Sequence, residues 1–278
     1  MAIFLLAASL AAAPGVKFLP DLEYAKVGAR SMMLDLYLPD PPAGKVPVIV
    51  WIHGGGWMAG DRKNPPGQEL VRHGYALASI EYRLSTEATF PAQIYDLKAA
   101  VRWLRAHAEQ YSLDSAHFGT WGHSAGGHLA ALLGASGGVA ELEGDEGGNL
   151  QFSSAVQCVC DWAGPTDFTA DPNQAGAGSG PSRLIGCAVG EHPEVARKAC
   201  PVTYVGKSSP PFQIVHGDLD RLVPLGQAQL MAAALTAAGV PVELLVRPFE
   251  GHGISDPTAI WARDRFFERW LKGVGAGA

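Results

Sequence analysis

The sequence has few charged residues and lacks the long apolar runs of a membrane protein. Charged residues make up 17% of its 278 residues, and the formal net charge is -6. We expect no nucleic-acid partner, because an acidic chain and nucleic acid repel each other. Beyond the N-terminal segment discussed below, no stretch approaches the ~18 apolar residues that cross a bilayer, so no membrane span is expected.

Zinc-site spacings and internal repeats are also missing. The sequence contains no Cys-x-x-Cys or His-x-x-x-His pattern, so zinc is not expected. The acidic stretch at 141–148 lacks the spacing of a calcium loop, and we interpret it as a solvated loop. No metal site is therefore predicted.

Cysteine is scarce, with four residues in the chain. Cys158 and Cys160 lie two apart in a strand-like run, so their side chains share a face and are poorly placed to bond each other. We expect them to be buried small apolar residues. Cys187 and Cys200 flank a loop, and for them a disulfide and two free thiols both stay open.

An apolar run at Ala2 to Ala13 has the length of a signal peptide, with a cleavage-like Ala11-x-Ala13. No Lys or Arg precedes it, and Pro14 follows it. Two interpretations stay open: a cleaved signal, which implies a secreted or periplasmic protein, or an N-terminal extension of a cytoplasmic one. We take residues 1–20 as this segment and 21–278 as a single domain.

The rest of the chain alternates between strand-like and helix-like stretches. Most strand-like runs are continuously apolar, which is typical of a parallel sheet covered on both faces. This alternation predicts a doubly wound α/β fold with a mostly parallel sheet and helices on both faces. The predicted strands are Val46 to Ile52, Tyr75 to Tyr82, His117 to Trp121, Ala155 to Trp162, Phe212 to His216 and Val242 to Pro248, and the predicted helices include Ala125 to Leu133, 94–104, Gly226 to Ala238 and Thr258 to Leu271.

Two segments depart from this pattern. Leu34 to Leu38 alternates apolar and polar residues, which predicts an exposed antiparallel edge strand. The Gly-, Pro- and Ala-rich region at 164–209 is long for a connection within a compact domain. We expect it to form a small cap over the carboxyl ends of the strands, where ligands bind in open α/β sheets.

A Gly-x-Ser-x-Gly pattern at Gly122 to Gly126 lies between a predicted strand and a predicted helix. That context is typical of a nucleophile elbow, in which Ser124 occupies a strained turn and glycines two residues away leave room for it. Upstream, a Gly-rich loop at His53 to Trp57 follows another predicted strand. Such a loop supplies backbone N–H groups to a developing oxyanion.

A serine nucleophile needs a base and a carboxylate that orients the base. His252 lies between two glycines after the last predicted strand, and we select it from nine histidines as the base. Asp218 and Asp220 both follow a strand-like run, so position in the chain leaves the carboxylate open between them. The order Ser, Asp, His matches one known hydrolase fold rather than chymotrypsin or subtilisin.

These motifs give the chain a resemblance to the α/β-hydrolases. Within that superfamily it is similar to the hormone-sensitive-lipase-like esterases and to the bacterial feruloyl and acetylxylan esterase relatives. The similarity runs from about Leu34 to Trp270. It rests on His53 to Trp57, Tyr82-Arg83-Leu84, Gly122 to Gly127, His216 to Asp220 with Val223-Pro224, and Gly251 to Gly253.

The resemblance implies an α/β-hydrolase fold and a catalytic triad. It assigns the carboxylate to Asp220, three residues before the Val-Pro pair, with Asp218 as second choice. It also implies an oxyanion hole formed by the backbone amides of Gly55, Gly56 and Ala125. The lipase-like branch usually carries a large N-terminal helical cap, and little precedes the first predicted strands here, so we expect the chain to be nearer the compact feruloyl and acetylxylan esterase relatives.

We therefore expect a carboxylic ester hydrolase that needs no cofactor and acts on a small-molecule ester. Trp57 and Trp162, with Phe168, are the residues expected to line its pocket, although ordinary core packing is the alternative for Trp162 and Phe168. Short-chain or aromatic acyl esters are the preferred substrates.

Two other functions stay open at this point. A serine peptidase of the prolyl-oligopeptidase type shares the order of the triad, and a non-catalytic binding protein can share the fold. The oligomeric state is not predicted.

Overall fold

The computed structural model describes residues 15–41 and 44–274. The signal-like run at Ala2 to Ala13 lies outside the described residues. The first strand begins at Val16, so residues 16–20 belong to the sheet and not to the N-terminal segment with which we grouped them.

One sheet of eight strands organises the described residues, in the order β1-β2-β4-β3-β5-β6-β7-β8. The pairs from β3 to β8 are parallel, whereas β1 and β2, and β2 and β4, are antiparallel. The strands are β1 (Val16–Val27), β2 (Arg30–Pro39), β3 (Val46–Ile52), β4 (Ala76–Ile80), β5 (Leu113–His123), β6 (Cys158–Trp162), β7 (Phe212–Gly217) and β8 (Val242–Arg247).

Helices cover both faces of this sheet. One face packs against α2, α3 and α6, and the other against α1 and α7. The prediction of a doubly wound, mostly parallel α/β fold is therefore confirmed. The helices are α1 (Glu69–Arg72), α2 (Ala92–Ala106), α3 (Ala125–Ala135), α4 (Gly180–Ile185), α5 (Pro193–Ala199), α6 (Gly226–Ala237) and α7 (Pro257–Leu271).

The expectation of an exposed edge strand at Leu34 to Leu38 is wrong. These residues belong to β2, which lies between β1 and β4, and the edge of the sheet is β1. The alternation misled because its polar member, Asp35, is fully buried. Arg62 donates to Asp35 over 3.0 Å, so an ion pair rather than water satisfies this carboxylate.

The acidic stretch at 141–148 lies at the surface, as expected, and it also docks on α2. Lys98, whose side chain is fully buried, lies 2.7 Å from a Glu143 carboxylate oxygen. Arg102 donates to the Glu143 and Glu146 carbonyls. Buried cations need such partners, which explains why the acidic stretch packs against this helix.

The segment 164–209 connects β6 to β7 and contains α4, α5 and three short 3-10 helices. The 3-10 helices are Phe168–Ala170, Pro172–Gln174 and Pro201–Tyr204. Because β6 and β7 are adjacent parallel strands, this connection begins at the carboxyl edge of the sheet.

The four cysteines all have free thiols in the described structure. Cys158 and Cys160 are buried in β6, as expected. The disulfide left open for Cys187 and Cys200 is not formed, and the Cys200 sulfur instead accepts a hydrogen bond from the Phe168 amide. Among the described helices, none has the length and apolar character needed to cross a membrane.

Candidate active site

Ser124 lies at the turn between β5 and α3, at the carboxyl edge of the sheet. Its backbone has φ +60° and ψ -122°, a conformation that side-chain-bearing residues rarely adopt. The Ser124 amide donates to the Trp162 carbonyl over 2.8 Å, which ties the turn to the neighbouring strand. The serine is thus held in a strained conformation by its surroundings.

Two glycines make this turn possible. A Cβ atom on Gly122 would lie 2.2 Å from the Gly126 carbonyl oxygen, and one on Gly126 would lie 2.1 Å from the Ile52 carbonyl oxygen. Real Cβ atoms do not approach backbone oxygens so closely. The Gly-x-Ser-x-Gly pattern is therefore a steric requirement of the packing between β3, β5 and α3.

A continuous line of hydrogen bonds joins the serine, the histidine and an aspartate. The Ser124 Oγ lies 2.8 Å from His252 Nε2, and His252 Nδ1 lies 2.7 Å from Asp220 Oδ2. Since a carboxylate only accepts, Nδ1 carries the hydrogen and Nε2 is free to accept the serine proton. The three side chains come from loops after β5, β7 and β8.

The structure separates the two candidate carboxylates. Asp220 is buried, and its second oxygen accepts hydrogen bonds from the Leu222 and Val223 amides, each over 2.9 Å. Asp218 is exposed and accepts from the Phe249 amide instead. Asp220, and not Asp218, meets His252.

Burial would raise the pKa of Asp220, but hydrogen bonds from His216, His252 and the Val223 amide outweigh it and hold that pKa well below its ordinary value. The carboxylate is therefore ionised across the neutral range, as a group that orients an imidazole must be.

The Gly-rich loop after β3 brings Gly56 to the cavity that Ser124 lines. Gly55 has φ +108° and Gly56 has φ +61°, and a Cβ on Gly55 would lie 2.1 Å from the Ala59 carbonyl oxygen. His53 holds the base of the loop: its ring stacks on Tyr82, whose hydroxyl donates to the His53 carbonyl over 3.0 Å.

A cavity of about 210 Å³ opens beside Ser124. Gly56 and Ala125 line it together with the serine, so two of the three residues expected to stabilise an oxyanion face it. Its apolar wall is formed by Trp57, Met58, Phe168, Pro181, Leu222 and Val223, and its polar lining by Asp167, Asp171, Gln174 and Gln227.

Trp162 does not line this cavity, contrary to our expectation. Neighbouring side chains along a strand point to opposite faces, and Trp162 points to the face covered by α1 and α7, where its ring lies 5.2 Å from that of Trp121. Trp57 and Phe168 are both placed as expected. The prediction failed because the side chain of Trp162 lies on the face of the sheet opposite to the cavity.

His128 packs behind the two aromatic side chains of the cavity wall, Trp57 and Phe168. It is fully buried on α3, one turn after Ser124, and its Nε2 donates to the Ala199 carbonyl over 2.8 Å. Nδ1 therefore lacks a hydrogen and accepts from the Trp57 indole N–H over 3.2 Å. Burial lowers the pKa of His128 to about 4, so the ring stays neutral.

Sequence reasoning missed the roles of His128 and His216, because both have the ordinary appearance of structural histidines. His128 follows the elbow glycines directly, and His216 begins the motif that ends at Asp220. Position inside the two motifs was the available signal. Neither spacing reveals which atoms the buried rings bond.

The chain matches the BD-FAE family model over residues 34–235. It is 30% identical over 233 residues to the esterase LipC of Mycobacterium tuberculosis, a match that covers 80% of this chain and 57% of LipC. The chain thus spans little more than half the length of this curated relative.

Two solved structures share its fold. A truncated carbohydrate esterase from gut microbiota superimposes with a TM-score of 0.88 at 32% identity, covering 92% of this chain and 96% of that one. A bifunctional GH43-CE protein of Bacteroides eggerthii has a TM-score of 0.87 at 36% identity, covering 91% of this chain and 35% of that one. These likenesses confirm the expected α/β-hydrolase fold.

Proposed function

We propose that this chain, which belongs to the BD-FAE family of α/β-hydrolase serine esterases, hydrolyses carboxylic esters through an acyl-enzyme formed on Ser124. The observation that carries the proposal is the line of hydrogen bonds from Ser124 through His252 to Asp220. A serine hydroxyl becomes a useful nucleophile only with such a base in reach.

In the first half of the reaction, His252 Nε2 takes the hydroxyl proton as the Ser124 Oγ attacks the ester carbonyl. Asp220 fixes the tautomer of the imidazole and stabilises its charged form. The imidazolium then protonates the departing alcohol oxygen. In the second half, water attacks the acyl-enzyme, and His252 accepts its proton and returns it to the serine.

The carbonyl oxygen becomes negatively charged in each transition state. The proposal assigns its stabilisation to the backbone amides of Gly55, Gly56 and Ala125. Ala125 begins α3, so its N–H has no partner within the helix and is available to an oxyanion. Removing one such donor from comparable sites costs about 3 kcal/mol of transition-state stabilisation.

The cavity supports a small acyl group. A closed apolar cavity of about 150 Å³ is large enough to hold benzene, and this one is about 210 Å³. Its polar lining is partly engaged already: Gln227 bonds the Thr166 and Asp167 amides and the Asp167 carbonyl. We therefore assign short-chain acyl groups or a single aromatic ring to the pocket.

Hydrolysis of p-nitrophenyl esters from acetate to palmitate, together with methyl ferulate, tests the proposal. The wild type is expected to hydrolyse the short-chain esters, acetate through butyrate, or methyl ferulate, faster than the palmitate ester. Ser124→Ala should fold normally and lose turnover by about four to six orders of magnitude. Activity that persists in Ser124→Ala, or that peaks at palmitate, contradicts the assignment of the nucleophile or of the pocket.

An aminoacyl p-nitroanilide, run beside the esters, separates ester from amide hydrolysis. We expect ester turnover to dominate. Faster cleavage of the amide would replace the esterase proposal by a peptidase.

A further inference from the structure

Below the catalytic residues, a second histidine contacts the same carboxylate oxygen as His252. His216 is fully buried in β7. Its Nε2 lies 2.8 Å from the Val223 carbonyl oxygen and 3.4 Å from Asp220 Oδ2. Because a carbonyl oxygen only accepts, Nε2 carries the hydrogen and donates it to the Val223 carbonyl, and Asp220 Oδ2 lies beside the same N–H group.

Both carboxylate oxygens of Asp220 have polar neighbours. Its Oδ1 accepts from the amides of Leu222 and Val223, while its Oδ2 lies between the imidazoles of His252 and His216. The same His216 N–H also holds the Val223 carbonyl, so it anchors the turn that carries Asp220. One buried donor thus acts on both the carboxylate and its backbone.

We infer that His216 is a positioning residue for the triad, which fixes Asp220 and limits how strongly that carboxylate engages His252. This inference rests on the proposed function, since it assigns His216 a role in the same reaction. The proposed reaction itself uses His252 alone as the base, and His216 contacts neither Ser124 nor the cavity beside it.

The setting of His216 contains a further buried carboxylate. Asp161 on β6 is paired with Ile214 on β7, and residues two apart on a strand share a face, so Asp161 and His216 point to the same side of the sheet. Within the described residues, neither Asp161 Oδ2 nor His216 Nδ1 has a hydrogen-bond partner.

The titratable groups facing His216 are Asp161 on β6, Asp220 on the turn after β7, His123 on β5 and His252 after β8. Burial would lower the pKa of His216, but the hydrogen bonds with Asp220 and Val223 and the charge of Asp161 raise it.

The geometry makes two predictions about the loss of this donor. The turn that carries Asp220 loosens, so His252 is aimed less well and kcat falls. In addition, Asp220 Oδ2 loses the polar N–H group that lies 3.4 Å away, so it stabilises protonated His252 more strongly. A protonated imidazole cannot act as the base. The acidic limb of the plot of kcat against pH therefore moves to higher pH.

Two variants of similar length test this role. His216→Met removes the donor, whereas His216→Gln keeps an N–H group near the position of Nε2. With p-nitrophenyl acetate, we expect His216→Met to lower kcat by about 10- to 100-fold, the loss typical of a misplaced catalytic group. KM should change little, because the residue lies outside the substrate cavity. His216→Gln should stay close to the wild type in kcat and in the position of the acidic limb.

The outcomes are separable. Equal losses of kcat in both variants with an unmoved acidic limb, or wild-type kinetics in His216→Met, overturn the role of His216 while leaving the proposed function standing. A wild type without esterase activity, or an active Ser124→Ala, overturns both. If His216→Met fails to fold, as judged by thermal melting, the comparison is made between His216→Gln and His216→Asn, whose amide is too short to reach Asp220.

Discussion

The pH dependence of stability should identify His128 as a buried neutral ring. The described structure has His128 donating from Nε2 to the Ala199 carbonyl and accepting at Nδ1 from the Trp57 indole. A proton added at Nδ1 would face the indole N–H, and it would place a charge in a fully buried site. The folded protein therefore resists this protonation.

The size of the effect follows from the two states. The pKa of His128 is 6.5 in an unperturbed chain and is lowered by burial to about 4 in the folded one. The unfolded chain therefore binds a proton that the folded chain refuses, and the free energy of unfolding falls as pH falls between these values. At ~1.4 kcal/mol per pH unit the loss is about 3 kcal/mol, a large share of the ~5–15 kcal/mol that stabilises a typical domain.

Urea unfolding of the wild type and His128→Asn at pH 7 and pH 4.5 measures this loss. Asparagine does not titrate, and its side-chain oxygen can accept from the Trp57 indole. The variant should be less stable at pH 7, and the gap should shrink by about 2.5 kcal/mol at pH 4.5. A control substitution that removes no titratable group, Gly176→Ala, should leave the pH dependence of the wild type unchanged. If wild type and His128→Asn lose stability in parallel, the buried neutral state is refuted.

Other substitutions test the site and its frame. Asp220→Asn should lower kcat of ester hydrolysis by about 10⁴-fold. Asp218→Asn should change kcat by a few-fold at most, because the Asp218 carboxylate accepts from the Phe249 amide and not from His252. If steady-state kinetics show the larger loss in Asp218→Asn, the assignment of Asp220 as the triad carboxylate is wrong. Gly126→Ala should lower the melting temperature sharply or prevent folding, since its Cβ would lie 2.1 Å from a β3 carbonyl oxygen. Gly176→Ala, with nothing within 4 Å of its Cβ, is the matched control; equal melting temperatures would contradict the steric argument.

The sequence predicted the parallel core of the fold well because those strands are buried on both faces. β3 has the predicted bounds Val46–Ile52, since all of its residues are apolar and its proline, Pro47, lies near the start, where the pairing with β5 is irregular. The second strand, β2, was misplaced at the edge. Its alternating Asp35 carries the signature of a solvated residue, and only the tertiary structure shows that Arg62 neutralises it in the interior.

The residues of the candidate site also fall into those that the sequence predicted and those that it did not. Ser124 and His252 follow from motifs and their order, because each motif has a local steric or chemical requirement. The position of the carboxylate stayed open between Asp218 and Asp220, and the family resemblance assigned it to Asp220. Trp162 was assigned to the wrong face of the sheet, because the sequence shows that Trp162 ends the β6 run but not which face its side chain occupies. The link from Trp57 through His128 depends on contacts between distant segments, which no local pattern encodes.

Trapping the acyl-enzyme tests the central claim most directly. The wild type is mixed rapidly with p-nitrophenyl acetate, quenched in acid, digested and analysed by mass spectrometry, with Ser124→Ala treated in parallel. We predict a burst of p-nitrophenol and an acetyl group on the peptide that contains Ser124, both missing from the variant. Turnover of the ester with no acyl group on Ser124, or with the label on another residue, would contradict the proposed nucleophile.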